Sequence, residues 1–303
     1  MNIEKEREAY RALGNGYYHL CTDGLKGGSI FNNVAQYAFG MILLGLICIK
    51  FSIRIYVFTL MPNHIHIILS GRGANCLQSF DFLKRRLSAR LKKDGFNPLP
   101  EDYWFKLYEI ENEERMKDEI LYVLRNPLEK GLGIVGCYVW SSGWLYHSGM
   151  SEVIDGATYG NVSTREIRKL AGGDEIIPEN WRFHPYLGLH PGCFVDTSLV
   201  LRLFPEAKDL QTGLVKDYEV FFQIASRMGE VIEFNKTEME SIVSQTLQKR
   251  FQGQNLKTMS EEDKGKLAII LNHEFGFTSY QISTTIFIKE RIVRQLLSSK
   301  ELR

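Results

Sequence analysis

Two histidines lie one residue apart inside an apolar run, in the stretch MPNHIHIILSG at residues 61–71. Alternate side chains of a β-strand share a face, so His64 and His66 would leave one face about 7 Å apart at the backbone. Two neutral imidazoles at that spacing can bind one metal ion, and a divalent ion with open positions can polarise a phosphate. The pair can equally be two histidines on a solvated sheet face, because the motif is short.

A tyrosine and an amide share one face of a helix predicted over residues 112–127. At about 100° per residue, Tyr122 lies roughly opposite the apolar stripe of that helix, and Asn126 follows one turn later. Pro127 disfavours the helical region for the residue before it, so we expect the helix to end at Asn126. Facing away from the core, the two side chains can serve chemistry or be a half-exposed aromatic beside a helix end.

The elements around these residues predict a small antiparallel sheet with helices on one face, an α+β fold, over residues 1–150. The predicted strands cover residues 16–24, 51–60, 63–70 and the region near 103–110, and the predicted helices cover 31–49, 76–98 and 112–127. Residues 151–195 are rich in Gly and Pro and predict a linker with one short helix near 163–170. Residues 196–303 predict a mainly helical C-terminal domain.

Length and composition exclude several classes of protein. At 303 residues and 44% hydrophobic content, the chain is long and apolar enough for two packed domains. Five scattered cysteines without CxxC spacing argue against a disulfide framework or a zinc ribbon, and favour a reducing cytoplasm. The N-terminus has no signal-peptide core, and the apolar stretch 38–49 is too short to span a bilayer, so we expect a buried helix and no membrane.

Several stretches, taken in order, resemble the REP-associated tyrosine transposases, which are single-tyrosine HUH nucleases of the insertion-sequence-200-like group. The matching stretches are YYHLCTDG with His19, LMPNHIHIIL, a basic helix, LYVLRNPLEKGL and the YVWSS of residues 138–142. The family's His-hydrophobic-His is matched by residues 64–66, and its Tyr-x-x-x-Asn-Pro by residues 122–127. The resemblance covers roughly residues 10–150.

This resemblance implies a ferredoxin-like sheet with the two histidines on a central strand. It implies a Mg²⁺ or Mn²⁺ ion held by His64, His66 and Asn126, and it makes Tyr122 the nucleophile. Attack on a DNA phosphate would leave a 5′-phosphotyrosyl strand and a 3′-OH, and attack by another 3′-OH would rejoin the strands. The implied partners are single-stranded DNA, at a hairpin, and a second subunit in a homodimer.

A basic helix in the first domain predicts contacts with DNA phosphates and a strong salt dependence of binding. Its basic residues are Lys84, Arg85, Arg86, Arg90, Lys92 and Lys93, with no acid among residues 82–93. The alternative is a solvated surface helix. Tyr103 and Trp104 can stack on an unpaired base or belong to the core.

Residues 278–297 resemble a helix-turn-helix, with Lys289, Arg291 and Arg294 pointing outward toward DNA. Ile288, Ile292, Val293 and Leu296 would form its inner face. Phe287 stands where such turns often carry glycine. The alternative is a helical bundle that only braces the first domain.

These observations together predict a cytoplasmic, metal-dependent DNA transposase that cleaves and rejoins single strands. One rival is a catalytically silent regulator of the same fold that binds DNA hairpins. Another is an RNA-binding protein, although the K/R-G-F/Y-G/A-F run of RNA-recognition domains is absent from the sequence. The remaining histidines are assigned structural roles: His19, His147, His184, His190 and His273.

Overall fold

The computed structural model describes residues 3–25, 28–133, 135–147, 178–184, 186–215, 218–229 and 234–298. The fold is α+β, as predicted, and the chain forms two compact units, residues 1–216 and 217–303. The division follows Lys216, whereas we expected the second domain to begin at residue 196.

The first unit is built on one antiparallel sheet whose strands lie in the order β2-β3-β1-β4. The strands are β1 (Asn15–Thr22), β2 (Arg54–Leu60), β3 (Ile65–Arg72) and β4 (Phe105–Glu109). The helices are α1 (Ile3–Ala12), α2 (Val34–Phe51) between β1 and β2, α3 (Gly73–Lys93) between β3 and β4, and α4 (Glu113–Glu129) after β4. The N-terminal helix α1 was not predicted, and it packs on α3.

Helices cover both faces of this sheet, so the prediction that they cover one face is wrong. Leu20, Ile67 and Leu69 point to one face, where they share a hydrophobic core with α2 and α3. The alternate strand residues point to the other face, which α4 covers through contacts with β2 and β3. The sheet is therefore the middle layer of three.

Helix α2 is a core helix of the first unit. It is long and apolar enough to cross a membrane by length and composition alone, yet 56% of it is buried inside the fold. Gly45 lets two side chains approach its backbone, because a Cβ there would lie 2.8 Å from the Trp181 ring and closer still to Leu189. Burial among these groups explains the apolar composition without a lipid environment.

The predicted linker differs from the structure, because residues 178–195 are part of the first unit. Phe183, Leu187 and Val195 join the core beside α2, and a short hairpin is formed by β5 (Phe183–His184) and β6 (Gly188–Leu189). Two further helices, α5 (Ser198–Leu203) and α6 (Ala207–Val215), then pack on α4. The short helix expected near 163–170 lies outside the described residues.

The Trp-Ser-Ser segment covers the outer edge of strand β2. The Leu60 amide donates to the Trp140 carbonyl over 2.9 Å, and the Phe58 amide donates to Ser142 Oγ over 3.0 Å. A β-bridge joins Thr59 to Ser141. Since an exposed edge strand offers unpaired backbone groups to other chains, these bonds protect the sheet.

The second unit is a bundle of helices. Its helices are α7 (Tyr218–Met228), α8 (Lys236–Arg250), α9 (Glu261–Phe275), α10 (Ser279–Ile286) and α11 (Glu290–Ser298). Ser260 caps α9 by accepting from the Asp263 amide. Phe287 ends α10 with φ of +58°, the left-handed conformation in which glycine was expected. Ile292 is 38% exposed, so its prediction as an inner-face residue is wrong.

Candidate active site

Polar side chains from three parts of the first unit meet on the sheet face beneath α4. His19 lies on β1, His66 lies on β3, and His64 immediately precedes β3. Because Cys21 pairs with His66 in the β1–β3 register, His19 and His66 are diagonal neighbours on one face. Glu119 and Tyr122 reach the same place from α4.

A chain of hydrogen bonds links α4 to β1 and β3. The Glu119 carboxylate lies 2.6 Å from His19 Nδ1, and His19 Nε2 lies 3.0 Å from His66 Nδ1. His19 and His66 have no exposed surface, and Glu119 is 2% exposed. A buried carboxylate costs free energy unless it is hydrogen-bonded, so the partnership with His19 stabilises this arrangement.

The two histidines of the His-Ile-His motif are arranged as two ligands of one metal ion would be. Their ring centroids are 4.8 Å apart and the ring planes meet at 84°. A metal–nitrogen bond of about 2.1 Å would put two rings sharing one ion roughly 4.5–5 Å apart. His64 Nδ1 is hydrogen-bonded to Asn63 Oδ1 over 2.7 Å, so Nε2 is the nitrogen of this ring that could bind a metal.

The third ligand that the sequence predicts for such an ion is the Asn126 amide. Among the residues the structure describes, no group of three His, Cys, Asp or Glu side chains is arranged to hold a metal. Asn126 Nδ2 donates to the Tyr122 carbonyl over 3.1 Å, which leaves the amide oxygen as its ligand atom. Two imidazoles and an amide oxygen suit Mn²⁺ better than Mg²⁺, since Mg²⁺ prefers an all-oxygen shell.

Tyr122 lies beside the histidines of its own chain. Its ring centroid is 5.6 Å from that of His66 and 6.0 Å from that of His19. Tyr122 and Asn126 share a face of α4, as predicted, but they are buried at 2% and 1% exposure instead of facing away from the core. The helix is covered on both sides, because α5 and α6 pack on the surface that the sheet does not reach.

Helix α4 continues through Pro127 to Glu129, so the prediction that it ends at Asn126 is wrong. A proline inside a helix leaves the carbonyl four residues earlier without its usual donor. Here that carbonyl belongs to Val123, and Thr59 Oγ1 of β2 donates to it over 3.0 Å. The cross-layer bond replaces the missing helical one and holds the last turn of α4 against the sheet.

The site is closed in this conformation. His64, the most exposed of the six residues His19, His64, His66, Glu119, Tyr122 and Asn126, is only 5% exposed. On the outer side of α4, the Arg125 guanidinium donates to the Leu214 carbonyl and pairs with Glu129. A phosphodiester can therefore contact Tyr122 only after α4 or its cover moves.

The predicted DNA-binding residues of α3 lie on the layer opposite α4. Lys84 Nζ donates to the carbonyls of Glu101 and Tyr103 at 2.6 and 2.8 Å, and Arg90 pairs with Asp94 at 2.7 Å. Arg85 and Arg86 extend over the Phe82 ring. Arg85, Lys92 and Lys93 are exposed.

Tyr103 and Trp104 are core residues, at 4% and 2% exposure, so the alternative that they belong to the core is confirmed. In the second unit, Lys289 and Arg291 are exposed, and Arg294 is exposed but paired with Glu290 at 2.7 Å.

Sequence reasoning missed two residues of the site, His19 and Glu119. His19 was assigned a structural role, although it lies in the YYHLCTDG stretch that resembles the family's first strand. Glu119 precedes Tyr122 by three residues, so the two share a helix face. The sequence signals that could have identified them are a histidine in a predicted strand, His19, and an acid one helical turn before the tyrosine, Glu119.

Comparisons with known proteins add a single likeness. No family model matches the chain, and neither does any curated protein. One solved structure, of a REP-associated tyrosine transposase bound to a REP hairpin, is similar at 16% sequence identity, with a TM-score of 0.36. The match covers 55% of this chain and 95% of that chain. At this identity and TM-score, the likeness does not show what this chain does.

Proposed function

We propose that the first unit is a metal-dependent enzyme that cleaves and rejoins single-stranded DNA through a 5′-phosphotyrosine. The observation that carries this proposal is the contact of the Tyr122 ring of α4 with the His66 ring of the sheet, which lies beside the His64 ring. Asn126 follows Tyr122 by one turn on the same helix. The resemblance in sequence motifs agrees with it. The order β1-α2-β2-β3-α3-β4, with strands arranged β2-β3-β1-β4, supports assignment of the sheet to the ferredoxin-like class.

Tyr122 supplies the nucleophile in this proposal. A protonated phenol is a weak nucleophile, so it needs an activated phosphate. The Tyr122 oxygen attacks phosphorus in line, and the bond from phosphorus to the 3′ oxygen breaks. The phenol proton passes to a base and the departing 3′ oxygen takes up a proton, so no net proton is exchanged. The energy of the phosphodiester is kept in the tyrosyl link, so rejoining needs no ATP.

His64, His66 and Asn126 are the residues that would hold the Mg²⁺ or Mn²⁺ ion. When bound, a divalent ion draws charge from the non-bridging oxygens of the scissile phosphate. The protein contributes the positions of the donors, because both imidazoles are oriented by hydrogen bonds at Nδ1.

The closed site requires a conformational step before chemistry. We propose that single-stranded DNA, at a hairpin, enters when α4 separates from the sheet, in a cytoplasmic homodimer. Arg85, Lys92 and Lys93 of α3 and Lys289, Arg291 and Arg294 of α11 are the proposed phosphate contacts, α10 and α11 acting as a helix-turn-helix. Five of the predicted DNA-binding residues would have to give up intramolecular contacts described above in order to contact DNA: Lys84, Arg85, Arg86, Arg90 and Arg294. Neutralising three of the proposed contacts should make the slope of log binding constant against log salt concentration less negative, by about 0.7–0.9 for each lost contact.

The test is incubation of a labelled library of DNA hairpins with the full chain and Mn²⁺, followed by denaturing electrophoresis. We expect a covalent protein–DNA adduct that disappears in Tyr122→Phe. It should persist in the control Tyr17→Phe, which removes an exposed phenol from the face of β1 that carries His19. Adduct formation unchanged in Tyr122→Phe would overturn the assignment of the nucleophile.

A second candidate is a catalytically silent protein that binds DNA hairpins. The burial of Tyr122 and His66 favours it, because a site that never opens cannot act on DNA. In the same experiment it predicts hairpin binding without adduct in Mn²⁺ or Mg²⁺. An RNA copy of the selected hairpin, used as competitor, tests the RNA-binding alternative.

A further inference from the structure

We infer that Glu119 and His19 are positioning residues that hold His66 in the tautomer with its proton on Nδ1 and its lone pair on Nε2. The role of that lone pair as a metal ligand rests on the proposed function, whereas the tautomer itself does not. Neither residue was a candidate for chemistry in the sequence.

The direction of the hydrogen bonds follows from the carboxylate. An ionised carboxylate can only accept hydrogen bonds. His19 Nδ1 therefore carries a hydrogen and donates a hydrogen bond to Glu119, over 2.6 Å. A neutral imidazole with its proton on Nδ1 accepts at Nε2. The hydrogen in the 3.0 Å contact between His19 and His66 therefore belongs to His66 Nδ1. His66 is left with a basic Nε2.

The second histidine of the motif is set in the same way by a different group. The Asn63 side-chain oxygen accepts from His64 Nδ1 at 2.7 Å, so the lone pair of His64 is also on Nε2. Metal-ligating histidines commonly donate their other ring N–H to a carboxylate or an amide oxygen, which orients the ring. A purely structural role would need only the hydrogen bond between Glu119 of α4 and His19 of β1. It would not need two neighbouring rings, 4.8 Å apart, with the same tautomer.

The rival arrangement is an imidazolium at His19. In that case His19 donates at both nitrogens, His66 Nδ1 must accept, and the proton of His66 lies on Nε2. Such a His66 cannot bind a metal through Nε2. The two arrangements therefore differ in one observable, the nitrogen of His66 that carries hydrogen.

Nuclear magnetic resonance of the metal-free full chain, with ¹⁵N-labelled histidine, reads that nitrogen directly. Two-bond ¹H–¹⁵N correlation spectra, recorded at about pH 8 where an ordinary imidazole is neutral, distinguish the tautomers by their pattern of cross-peaks. His66→Asn assigns the signals of His66. We expect the Nδ1–H tautomer in the wild-type protein, and an Nε2–H pattern there would overturn the inference.

Glu119→Gln tests the cause of the preference. The glutamine amide can donate to His19 Nδ1, which reverses both hydrogen bonds and moves the proton of His66 to Nε2. We expect mixed or reversed cross-peaks for His66 and an affinity for Mn²⁺ lower by about 10-fold to 100-fold, measured by electron paramagnetic resonance of unbound Mn²⁺. Glu114→Gln, an exposed acid on the same helix, should change neither signal.

The outcomes separate this inference from the proposed function. If wild-type protein shows the expected tautomer but binds no Mn²⁺, the positioning role stands and the proposed metal site fails. Because the glutamine oxygen can still accept from His19, the decisive variant is Glu119→Leu, which has no acceptor. If both Glu119→Gln and Glu119→Leu leave the His66 spectrum and the Mn²⁺ affinity unchanged, the positioning role is overturned while the metal site survives. If Glu119→Gln does not fold, the wild-type spectrum alone decides.

Discussion

The two faces of the sheet in the first unit are built by the same strands and have opposite chemistry. Toward α2 and α3, neighbouring side chains such as Leu20 and Ile67 form a continuous apolar core. Toward α4, the adjacent residues His19 and His66 form a hydrogen-bonded cluster with Glu119. One step along a strand therefore separates a residue that stabilises the fold from one that can do chemistry.

The comparison shows how a buried polar site is supported. The apolar face supplies burial on the order of 25 cal/mol per Å², and it does not depend on the direction of any bond. The stabilisation supplied by the polar face depends on the direction of its hydrogen bonds, because each donor must meet an acceptor. Mutations on the two faces should therefore lower stability for different reasons, a cavity on the apolar face and a lost hydrogen-bond partner on the polar face.

The largest effect on stability is expected on the apolar face. Ile67→Ala should lower the free energy of unfolding by about 2–5 kcal/mol, because it leaves a cavity among fully buried side chains. Urea denaturation monitored by circular dichroism measures this. The His66 tautomer of the folded fraction should stay as in wild type, and a changed tautomer would show that the two faces are not independent.

On the polar face, His19→Leu should cost about 3 kcal/mol, because it leaves the Glu119 carboxylate buried without its partner at 2.6 Å. The double variant His19→Leu/Glu119→Leu should recover part of that loss, since it removes the stranded charge. A double-mutant cycle by urea denaturation measures the coupling. Strictly additive losses would contradict the hydrogen-bonded pair.

A smaller effect is expected where the two layers are joined by one bond. Thr59→Val keeps the shape of the side chain but leaves the Val123 carbonyl buried without the Thr59 donor. We expect a loss of about 1–2 kcal/mol in thermal or urea unfolding. Thr59→Ser keeps the hydroxyl and is the matched control; if both variants unfold alike, the bond to Val123 is not what the position contributes.

The smallest effect concerns alkaline pH. Burial in the apolar layer raises the pKa of the Cys76 thiol from 9.0 to about 12. Above about pH 9 the folded protein keeps this proton while the unfolded chain loses it. The stability that the protonated thiol contributes is therefore fully present below about pH 9 and is lost as the pH rises toward 12. Near pH 10 the cost is about 1.4 kcal/mol.

Urea titrations of wild type and Cys76→Ala near pH 8 and pH 10 measure this difference. The variant should lose less stability than wild type between the two pH values. Equal losses would show that Cys76 does not contribute to the alkaline dependence.

The sheet and its helices could be predicted because their patterns are local. Alternation in residues 51–60 and 63–70 predicts β2 and β3, and the apolar stripe of residues 112–127 predicts α4. The structure has all three, with ends shifted by a few residues. The pairing of His64 and His66 is local too, and their closeness to Tyr122 followed from the family resemblance.

The rest depends on contacts between distant residues. His19 is 47 residues from His66 and 100 from Glu119, so only the register of β1 on β3 and the docking of α4 bring them together. The covering of the outer side of α4 depends on α5 and α6, which belong to the stretch predicted as a separate domain. The passage of α4 through Pro127 depends on Thr59, a residue of another layer.

The Trp-Ser-Ser segment sets the shortest fragment worth expressing. A chain cut after Glu129 would strip β2 of the backbone partners that residues 140–142 supply, and a bare strand edge recruits other molecules into aggregates. Truncation at residue 150 would keep those bonds but would remove Val195 and Asp196, which pair with Ile55 of the same strand, and would expose the outer side of α4. A fragment that keeps the first unit intact should therefore extend to Lys216.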